Sequence, residues 1–261
     1  MGRITAEFER LKAAGKTGLV MYVTVGFPNL AETPALVQAA IAGGADIIEL
    51  GVPFSDPLAD GATNQRANQA ALENGVTMDD CLKTAAGLRQ AGVTVPLVLM
   101  GYYNTWSNYG VERWCETAAA AGVDGAIVVD LPPEEAQPLL ASAKANGLDV
   151  VFLLAPTSND DRIERVAKLA SGFVYCVSLA GVTGARTSLP ETLPAFLQRV
   201  RAHTTLPLAV GFGISQADHV AQVGKIAEAA VVGSALTSVI EQAAPGQGPA
   251  AVQAFVQGLH A

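Results

Sequence analysis

Short apolar runs alternate with stretches of helical character along the whole chain. Eight runs are apolar at consecutive positions, as expected of strands that are covered on both faces of a parallel sheet. They span residues 19–25, 45–50, 95–101, 123–130, 149–154, 172–178, 206–212 and 229–233. Several helical stretches end in glycine just before the next run, at Gly44, Gly92, Gly122 and Gly147. The pattern predicts an α/β fold, a (β/α)8 TIM barrel that occupies residues 1–261 as a single domain, with a doubly wound open sheet as the alternative.

The pattern also predicts how several helices begin. Three of them start with Ser or Thr followed three positions later by Asp, which is typical of a capping box: Thr77 and Asp80, Ser158 and Asp161, and Ser215 and Asp218. Ahead of the first strand, Ile4, Phe8 and Leu11 lie at spacings of four and three, on one helical face. We expect this N-terminal helix to cover the bottom of the barrel.

The composition excludes several classes of protein. Half of the 261 residues are hydrophobic and 15% are charged, which is enough for a large core. The formal net charge is −8 and the 16 Lys and Arg are scattered, so we expect no nucleic-acid binding. No apolar run reaches the roughly 18 residues of a membrane span. The charged N-terminal stretch lacks the apolar core of a secretory signal.

Cysteine and histidine are dispersed. Cys81, Cys115 and Cys176 form neither a C-x-x-C pair nor a disulfide framework, which predicts a protein of the reducing cytoplasm. A metal site needs clustered ligands, and the sequence predicts none. We interpret the three histidines as residues of surface helices: His203, His219 and His260.

Glu49 is the first candidate for chemistry, because it ends the apolar run 45–50. Alternation places Ile47 and Glu49 on one face of the strand and Ile48 and Leu50 on the other. If the second pair packs on helices, Glu49 points into the barrel mouth, where active sites of such barrels lie. Apolar surroundings would raise its pKa and allow proton transfer near neutral pH. The alternative is a strand-end Glu that is bonded to a neighbouring loop.

Asp60 is a second acid, at the end of the loop 51–61. Pro53 and Pro57 restrict the unfolded conformations of this loop and so lower the cost of ordering it. Beside Glu49, Asp60 could hold a ligand N–H through a charge-assisted hydrogen bond. A turn-forming Asp before Gly61 is the alternative.

Glycine-containing turns follow the last two strands. The segment 211–215 comes after the seventh, and Gly233 and Ser234 come after the eighth and lead into a helix. Backbone N–H groups can approach a phosphate closely at such turns, and loops after strands seven and eight of these barrels often bind phosphate. The sequence therefore favours a phosphate site there over simple left-handed turns.

Two further features suggest an enclosed pocket. The loop 178–188 is rich in small residues, which is typical of a lid, although a mobile surface loop is the alternative. Side chains near the strand ends could wall a flat apolar pocket, with core packing as the alternative for each: Tyr22, Tyr102, Ile127, Leu153, Tyr175 and Phe212.

These residues belong to stretches that resemble the tryptophan synthase alpha subunit family over essentially the full chain. The matching stretches are 22–28, 48–61, 100–104, 125–132, 181–184 and 211–215. The second of them, IELGVPFSDPLADG, is close to diagnostic, whereas the glycine-rich pieces alone would not be.

The resemblance implies a lyase that cleaves indole-3-glycerol phosphate to indole and glyceraldehyde 3-phosphate. It assigns Glu49 to proton transfer, Asp60 to the indole N–H, Tyr175 to substrate contact and Thr183 to a loop that closes over Asp60. It also assigns the phosphate to four positions: Gly184, Gly213, Gly233 and Ser234. No cofactor is expected in this chain.

The resemblance further implies a partner, a beta subunit that uses pyridoxal phosphate and receives indole through a tunnel in an alpha2beta2 tetramer. We expect it to dock on the loop 53–60 and near Asn104, Asn108 and Pro132. Three alternatives remain open: a stand-alone indole-3-glycerol phosphate lyase, a non-catalytic barrel that activates a partner, and another phosphate-binding barrel enzyme such as a sugar-phosphate isomerase.

Overall fold

Eight parallel strands close into a barrel in which each strand pairs with its neighbours in chain order. The computed structural model describes residues 2–178, 190–211 and 213–260. The strands are β1 (Gly18–Thr24), β2 (Ile47–Gly51), β3 (Leu97–Gly101), β4 (Gly125–Val128), β5 (Asp149–Leu154), β6 (Val174–Val177), β7 (Leu208–Gly211) and β8 (Ala229–Val232). The (β/α)8 prediction is therefore confirmed, and the open-sheet alternative is wrong.

Helices surround this barrel. Over the described residues they are α1 (Arg3–Ala14), α2 (Thr33–Gly43), α3 (Ala62–Glu73), α4 (Met78–Gln90), α5 (Tyr103–Tyr109), α6 (Val111–Ala120), α7 (Gln137–Ala145), α8 (Asp160–Leu169), α9 (Leu193–Arg201), α10 (Ala217–Val223), α11 (Ser234–Gln242) and α12 (Gly248–Gly258). Two helices follow each of β2, β3 and β8, so these three units have one helix more than the simple repeat of one strand and one helix. Within the described ranges, no helix has the length and apolarity needed to cross a membrane.

Local sequence explains some helix boundaries and not others. The capping box at the start of α4 is confirmed, since Thr77 and Asp80 each accept the other's backbone N–H. The box predicted for α8 is wrong, because the side chain of Asn159 caps that helix and Ser158 accepts the N–H of Ala155 instead. The box predicted for α10 is also wrong, since that helix starts one residue later than the pattern requires and has no side-chain cap.

Glycines end several helices, as predicted. Gly44, Gly92, Gly122 and Gly147 all have φ between 70° and 111°, a backbone conformation that other residues rarely adopt. In α2 the cap at Gly44 donates its N–H back to the last turn of the helix. The chain can then turn directly into the next strand.

The strands separate two apolar layers. Ile48 and Leu50 belong to the outer layer that packs on the helices, and Ile47 belongs to an inner layer that fills the barrel. The prediction that Glu49 faces inward is confirmed, since alternation puts it on the face of Ile47.

Helix α1 closes the amino end of the barrel, as predicted. Ile4, Phe8 and Leu11 are buried and belong to the same inner cluster as Val20 and Phe173. The rings of Phe8 and Phe173 lie 5.8 Å apart in a tilted arrangement. This end of the barrel is therefore closed by apolar packing.

Candidate functional site

A cavity of about 330 Å³ lies at the carboxyl ends of the strands. Seven predicted site residues line it: Tyr22, Glu49, Asp60, Tyr175, Gly213, Gly233 and Ser234. They come from five strands or the loops after them, so only the folded barrel brings them together. The two acids and the glycine turns thus share one cavity.

Glu49 lies at the base of this cavity. It is paired in register with Tyr22 of β1 and Val98 of β3 and is 0% exposed. Neither carboxyl oxygen has a hydrogen-bond partner among the described residues. Burial without compensation disfavours the ionised form and raises the pKa of Glu49 from 4.5 to about 8. At neutral pH Glu49 is therefore protonated, and it can donate a proton into the cavity.

Asp60 reaches the cavity from the loop that follows β2. The Tyr102 hydroxyl donates to Asp60 Oδ2 at 2.9 Å and accepts the N–H of Ala59 at 3.0 Å, so one phenol holds both the loop and the carboxylate. Burial raises the pKa of Asp60, and hydrogen bonds from Tyr102 and Asn64 act in the opposite direction. Asp60 is thus supported by donors that Glu49 lacks.

Tyr22 and Tyr175 form buried walls near the acids. Burial raises the pKa of both phenols well above the ordinary value, and the nearby carboxyl groups act in the same direction, so both stay neutral. The Tyr22 ring occupies the space that a side chain at Gly51 of β2 would need. The Tyr175 ring does the same at Gly211 of β7. Glycine at these two positions therefore allows the rings to lie across the barrel mouth.

The opposite side of the cavity is built from backbone. Gly213 has a φ of 87°, which favours glycine at this turn after β7. Gly233 and Ser234 form the start of α11, where backbone N–H groups lack helical acceptors and the helix dipole favours an anion. Among the described residues that line the cavity, none is Lys or Arg. An anion here would be held by N–H groups and hydroxyls.

The remaining predicted residues occupy other places. Tyr102 lies behind Asp60, and Ile127 is part of the inner apolar cluster, against which Leu153 also packs. None of the three is among the described residues that line the 330 Å³ cavity, so their contact with substrate stays a prediction. Three others lie outside the described residues: Thr183, Gly184 and Phe212.

Sequence reasoning missed Asn64 and Ser238. Both line the cavity, from the first turn of α3 and the second turn of α11. Their types gave little signal, because Asn and Ser are common on exposed helix faces. The available signal was spacing: Asn64 lies four positions after Asp60, and Ser238 lies four positions after Ser234.

The interpretation of His219 as a surface residue is wrong, because it is 1% exposed. Its Nδ1 accepts the backbone N–H of Ser215, a cavity-lining residue, at 3.3 Å, and its Nε2 lies 3.0 Å from the Gln216 amide. His219 therefore braces the turn that carries Gly213. His203 and His260 are exposed and lie just beyond the ends of α9 and α12.

Comparisons with known proteins agree with this geometry. A family profile described as tryptophan synthase alpha chain matches residues 8–260. The tryptophan synthase alpha chains of Roseiflexus castenholzii and Roseiflexus sp. strain RS-1 are 56% and 55% identical over 259 residues, and each alignment covers 99% of both chains.

Solved structures give the same result. Tryptophan synthase subunit alpha from Legionella pneumophila has a TM-score of 0.92 at 37% identity, covering 100% of this chain and 97% of that one. A chain of Mycobacterium tuberculosis tryptophan synthase has a TM-score of 0.92 at 36% identity, covering 99% and 97%. The chain therefore belongs to the tryptophan synthase alpha chain family.

Proposed function

We propose that this chain is the alpha subunit of a tryptophan synthase, a lyase that cleaves indole-3-glycerol phosphate to indole and glyceraldehyde 3-phosphate. The observation that carries the proposal is that Glu49 is buried and has no hydrogen-bond partner among the described residues, in a cavity that Asp60 and the start of α11 also line. A substrate with an indole at one end and a phosphate at the other matches a cavity with two acids on one side and a helix start on the other.

Glu49 supplies the proton transfers. Its protonated carboxyl donates to C3 of the indole, which converts the ring to a cationic indolenine. The resulting carboxylate then accepts the proton of the hydroxyl on the adjacent side-chain carbon. The bond between that carbon and C3 breaks, the electron pair returns to the ring, and an aldehyde forms. The proton balance closes on Glu49, whose raised pKa suits it to both steps.

Asp60 stabilises the cationic ring. Protonation of C3 places positive charge on the N–H side of the indole, and a carboxylate that accepts this N–H opposes the charge. The hydrogen bond from Tyr102 to Oδ2 holds the carboxylate in place, so that it can face the substrate. The walls made by Tyr22 and Tyr175 favour a flat ring in this position.

The phosphate lies on the backbone side of the cavity in this proposal. N–H groups at Gly213, Gly233 and Ser234, with the loop residue Gly184, would bind it, and no Lys or Arg is among the described residues that line the cavity. Thr183, on the same loop as Gly184, would close over Asp60. The reaction transfers protons and no electrons, so the chain needs no redox cofactor for it, and pyridoxal phosphate is expected only in the beta subunit.

The partner surface is proposed at the loop that carries Asp60. Leu58 is 83% exposed there, the one large hydrophobic side chain so exposed among the described residues. A nearby beta subunit would bury it and could sense the occupancy of the cavity through Asp60, two residues away. We propose that Asn104, Asn108 and Pro132 belong to the same partner surface, and an alpha2beta2 assembly and a cytoplasmic location remain parts of this proposal.

An indole-release assay tests the proposal. The purified chain is given indole-3-glycerol phosphate with and without a tryptophan synthase beta subunit. We expect slow release of indole alone and strong stimulation by the beta subunit. High turnover that the beta subunit does not change would favour the stand-alone lyase, and no release under either condition would favour a non-catalytic subunit or another phosphate-binding barrel enzyme.

A further inference from the structure

Asn68 is a buried amide on α3, the helix that follows the loop carrying Asp60. Its side chain belongs to a residue that is only 2% exposed. Its Oδ1 accepts the backbone N–H of Phe54 at 3.0 Å, and its Nδ2 donates to the carbonyl of Asn64 at 2.8 Å. Phe54 lies in the first half of the loop 51–61, whereas Asn68 comes after the loop has ended. The amide therefore ties the start of this loop to the helix beyond it.

Only one orientation of this amide satisfies both neighbours. The N–H of Phe54 is a donor and requires Oδ1, while the carbonyl of Asn64 is an acceptor and requires Nδ2. The reversed amide would place two donors together at one contact and two acceptors together at the other. A side chain of similar size without polar atoms would leave the Phe54 N–H without this acceptor. Asn68 is thus a specific connection between the loop and α3.

The ring of Phe54 extends this connection to Tyr102. The two rings stack with their centroids 5.1 Å apart and their planes inclined by 24°. Aromatic rings attract each other at centroid distances of about 4.5–7 Å, so this contact is favourable. Tyr102 is only 5% exposed, and its ring position therefore depends on the side chains around it. A shift of Phe54 would remove one of these contacts.

The Tyr102 hydroxyl makes the last contacts in the series. It donates to Asp60 Oδ2 at 2.9 Å and accepts the N–H of Ala59 at 3.0 Å. Since a hydroxyl has one proton, these two bonds together fix its rotation. Asp60, Asn68 and Tyr102 also line one small cavity of about 10 Å³. Observed contacts therefore run from Asn68 through Phe54 and Tyr102 to the carboxylate.

We propose that Asn68 is a positioning residue for Asp60, and that it acts through Phe54 and Tyr102. This inference rests on the proposed function, in which the Asp60 carboxylate accepts the indole N–H. By holding the start of the loop on α3, Asn68 keeps the Phe54 ring against Tyr102, and the phenol then keeps the carboxylate at the cavity. Asn68 is not among the described residues that line the 330 Å³ cavity, so its role is indirect.

The test compares Asn68→Leu, which removes both amide hydrogen bonds, with Phe54→Leu, which removes the stacked ring. One hydrogen bond or one aromatic contact corresponds to about 2- to 10-fold, so we expect kcat for indole release with a beta subunit to fall by that factor in each variant. The double variant should be no slower than the slower single variant, because both changes act on one series of contacts. Affinity for inorganic phosphate should stay unchanged, since this anion needs only the backbone side of the cavity.

A direct readout is amide hydrogen exchange at Ala59, measured by NMR. The Tyr102 hydroxyl accepts this N–H, so its exchange reports whether the phenol has moved. Both variants should exchange Ala59 faster, by about 2- to 10-fold. Thr84→Val is the matched control, because it removes another buried side chain's hydrogen bond to a carbonyl four positions earlier, in α4, which carries none of these contacts. It should leave the rate and the Ala59 exchange unchanged.

The outcomes separate the two proposals. If the unaltered chain, assayed with its beta subunit, releases no indole, the proposed function fails, while the Ala59 exchange still decides whether Asn68 acts on Tyr102. If Asn68→Leu keeps the wild-type rate and exchange, the positioning role is wrong. It is also wrong if Phe54→Leu changes neither readout or if Thr84→Val causes an equal loss. Phe54 is only half-buried, so Phe54→Leu should fold and decides the matter if Asn68→Leu does not.

Discussion

Two buried carboxylates at opposite ends of the barrel have opposite surroundings. At the amino end, Asp124 accepts Arg3 Nη1 at 2.9 Å, Arg89 Nη2 at 2.6 Å and the N–H of Leu97 at 2.8 Å. At the carboxyl end, Glu49 has no hydrogen-bond partner among the described residues. The same fold therefore satisfies one buried acid fully and leaves the other unsatisfied.

The difference indicates a structural role for Asp124 and a chemical role for Glu49. A buried charge is tolerated when it is paired and hydrogen-bonded, as Asp124 is, and it then fixes how loops and strands meet. A buried carboxyl without partners remains protonated instead, which costs stability at neutral pH and provides a proton donor. This agrees with the general rule that the amino-end face of such barrels serves stability and the carboxyl-end face serves catalysis.

The largest expected effect is on turnover. Glu49→Gln removes the proton donor and acceptor, so we expect kcat for indole release to fall at least about 1000-fold. Asp60→Asn should lose less, roughly 10- to 100-fold, because a neutral amide oxygen can still accept the indole N–H. Steady-state assays with a beta subunit measure both values.

Affinity for a non-cleavable indole-alkyl phosphate is the control for this pair. Calorimetry should show nearly unchanged binding to Glu49→Gln, since the phosphate side of the cavity is intact. Near-normal turnover of Glu49→Gln would refute the acid–base role. Equal and complete losses in both variants would refute the division of roles between the two acids.

The second effect is on stability, at the other end of the barrel. Asp124→Asn leaves the guanidinium of Arg89, whose side chain is 13% exposed, without its counter-charge. Removing one partner of a buried ion pair costs about 3–5 kcal/mol, so the free energy of unfolding should fall by a similar amount. Urea unfolding measures this change, and turnover of the folded variant at low temperature should be nearly normal.

Arg3→Gln is the matched control for Asp124→Asn. It removes the other cation of the same cluster, but the Arg3 side chain is 53% exposed, so we expect a loss of only about 0–1 kcal/mol. If Arg3→Gln destabilised the fold as much as Asp124→Asn, burial would not be the cause of the difference. A large fall in turnover of folded Asp124→Asn would contradict the separation of the two ends.

Much of the fold could be predicted from sequence because the barrel repeats one local pattern. Alternation along β2 alone was enough to place Ile47 and Glu49 inside and Ile48 and Leu50 outside. Helix starts were less predictable, because competing caps lie close together. At α8 the pattern favoured Ser158, yet the adjacent Asn159 occupies the cap, and either residue type is suitable there.

The site was only partly predictable, for a physical reason. Glu49, Asp60 and the glycine turns carry local signals, namely a strand end, a stiff loop and glycines before a helix. Asn64 carries only its spacing from Asp60, and its hydrogen bond to Thr237 joins residues 173 positions apart, which no local pattern indicates. The burial of His219 was missed for a similar reason. A histidine on a short helix usually lies at the surface, and its burial here depends on the turn whose Ser215 N–H it accepts.

The third effect is a pH dependence of the unfolding free energy that comes from Glu49, the buried carboxyl without hydrogen-bond partners. In the folded protein the pKa of Glu49 is about 8, and its ordinary value is 4.5, so unfolding releases a proton between these pH values. Stability from this group is fully present below pH 4.5 and is lost as pH rises through 8. Glu49→Gln has no such loss, so the variant should gain a few kcal/mol on wild type between pH 5 and pH 8.

Urea unfolding of both proteins at pH 5 and pH 8 measures that gain. Other groups titrate in this range, but they are shared by the two proteins and cancel in the difference. A difference in unfolding free energy that stays constant with pH would show that Glu49 is ionised in the folded state, and the proton-donor role would then fail.

The smallest effect lies outside both ends, at the start of α4. Thr77→Ala removes the hydroxyl that accepts the N–H of Asp80 and leaves that donor to water. Loss of such a cap costs about 1 kcal/mol, which should lower Tm by about 2–4 °C in a domain of this size. Because the cap is exposed and contacts neither carboxylate, turnover and the change in stability between pH 5 and pH 8 should both match wild type. A change in either would mean that the cap of α4 influences Glu49. The contrast between Glu49 and Asp124 would then not result from their local surroundings.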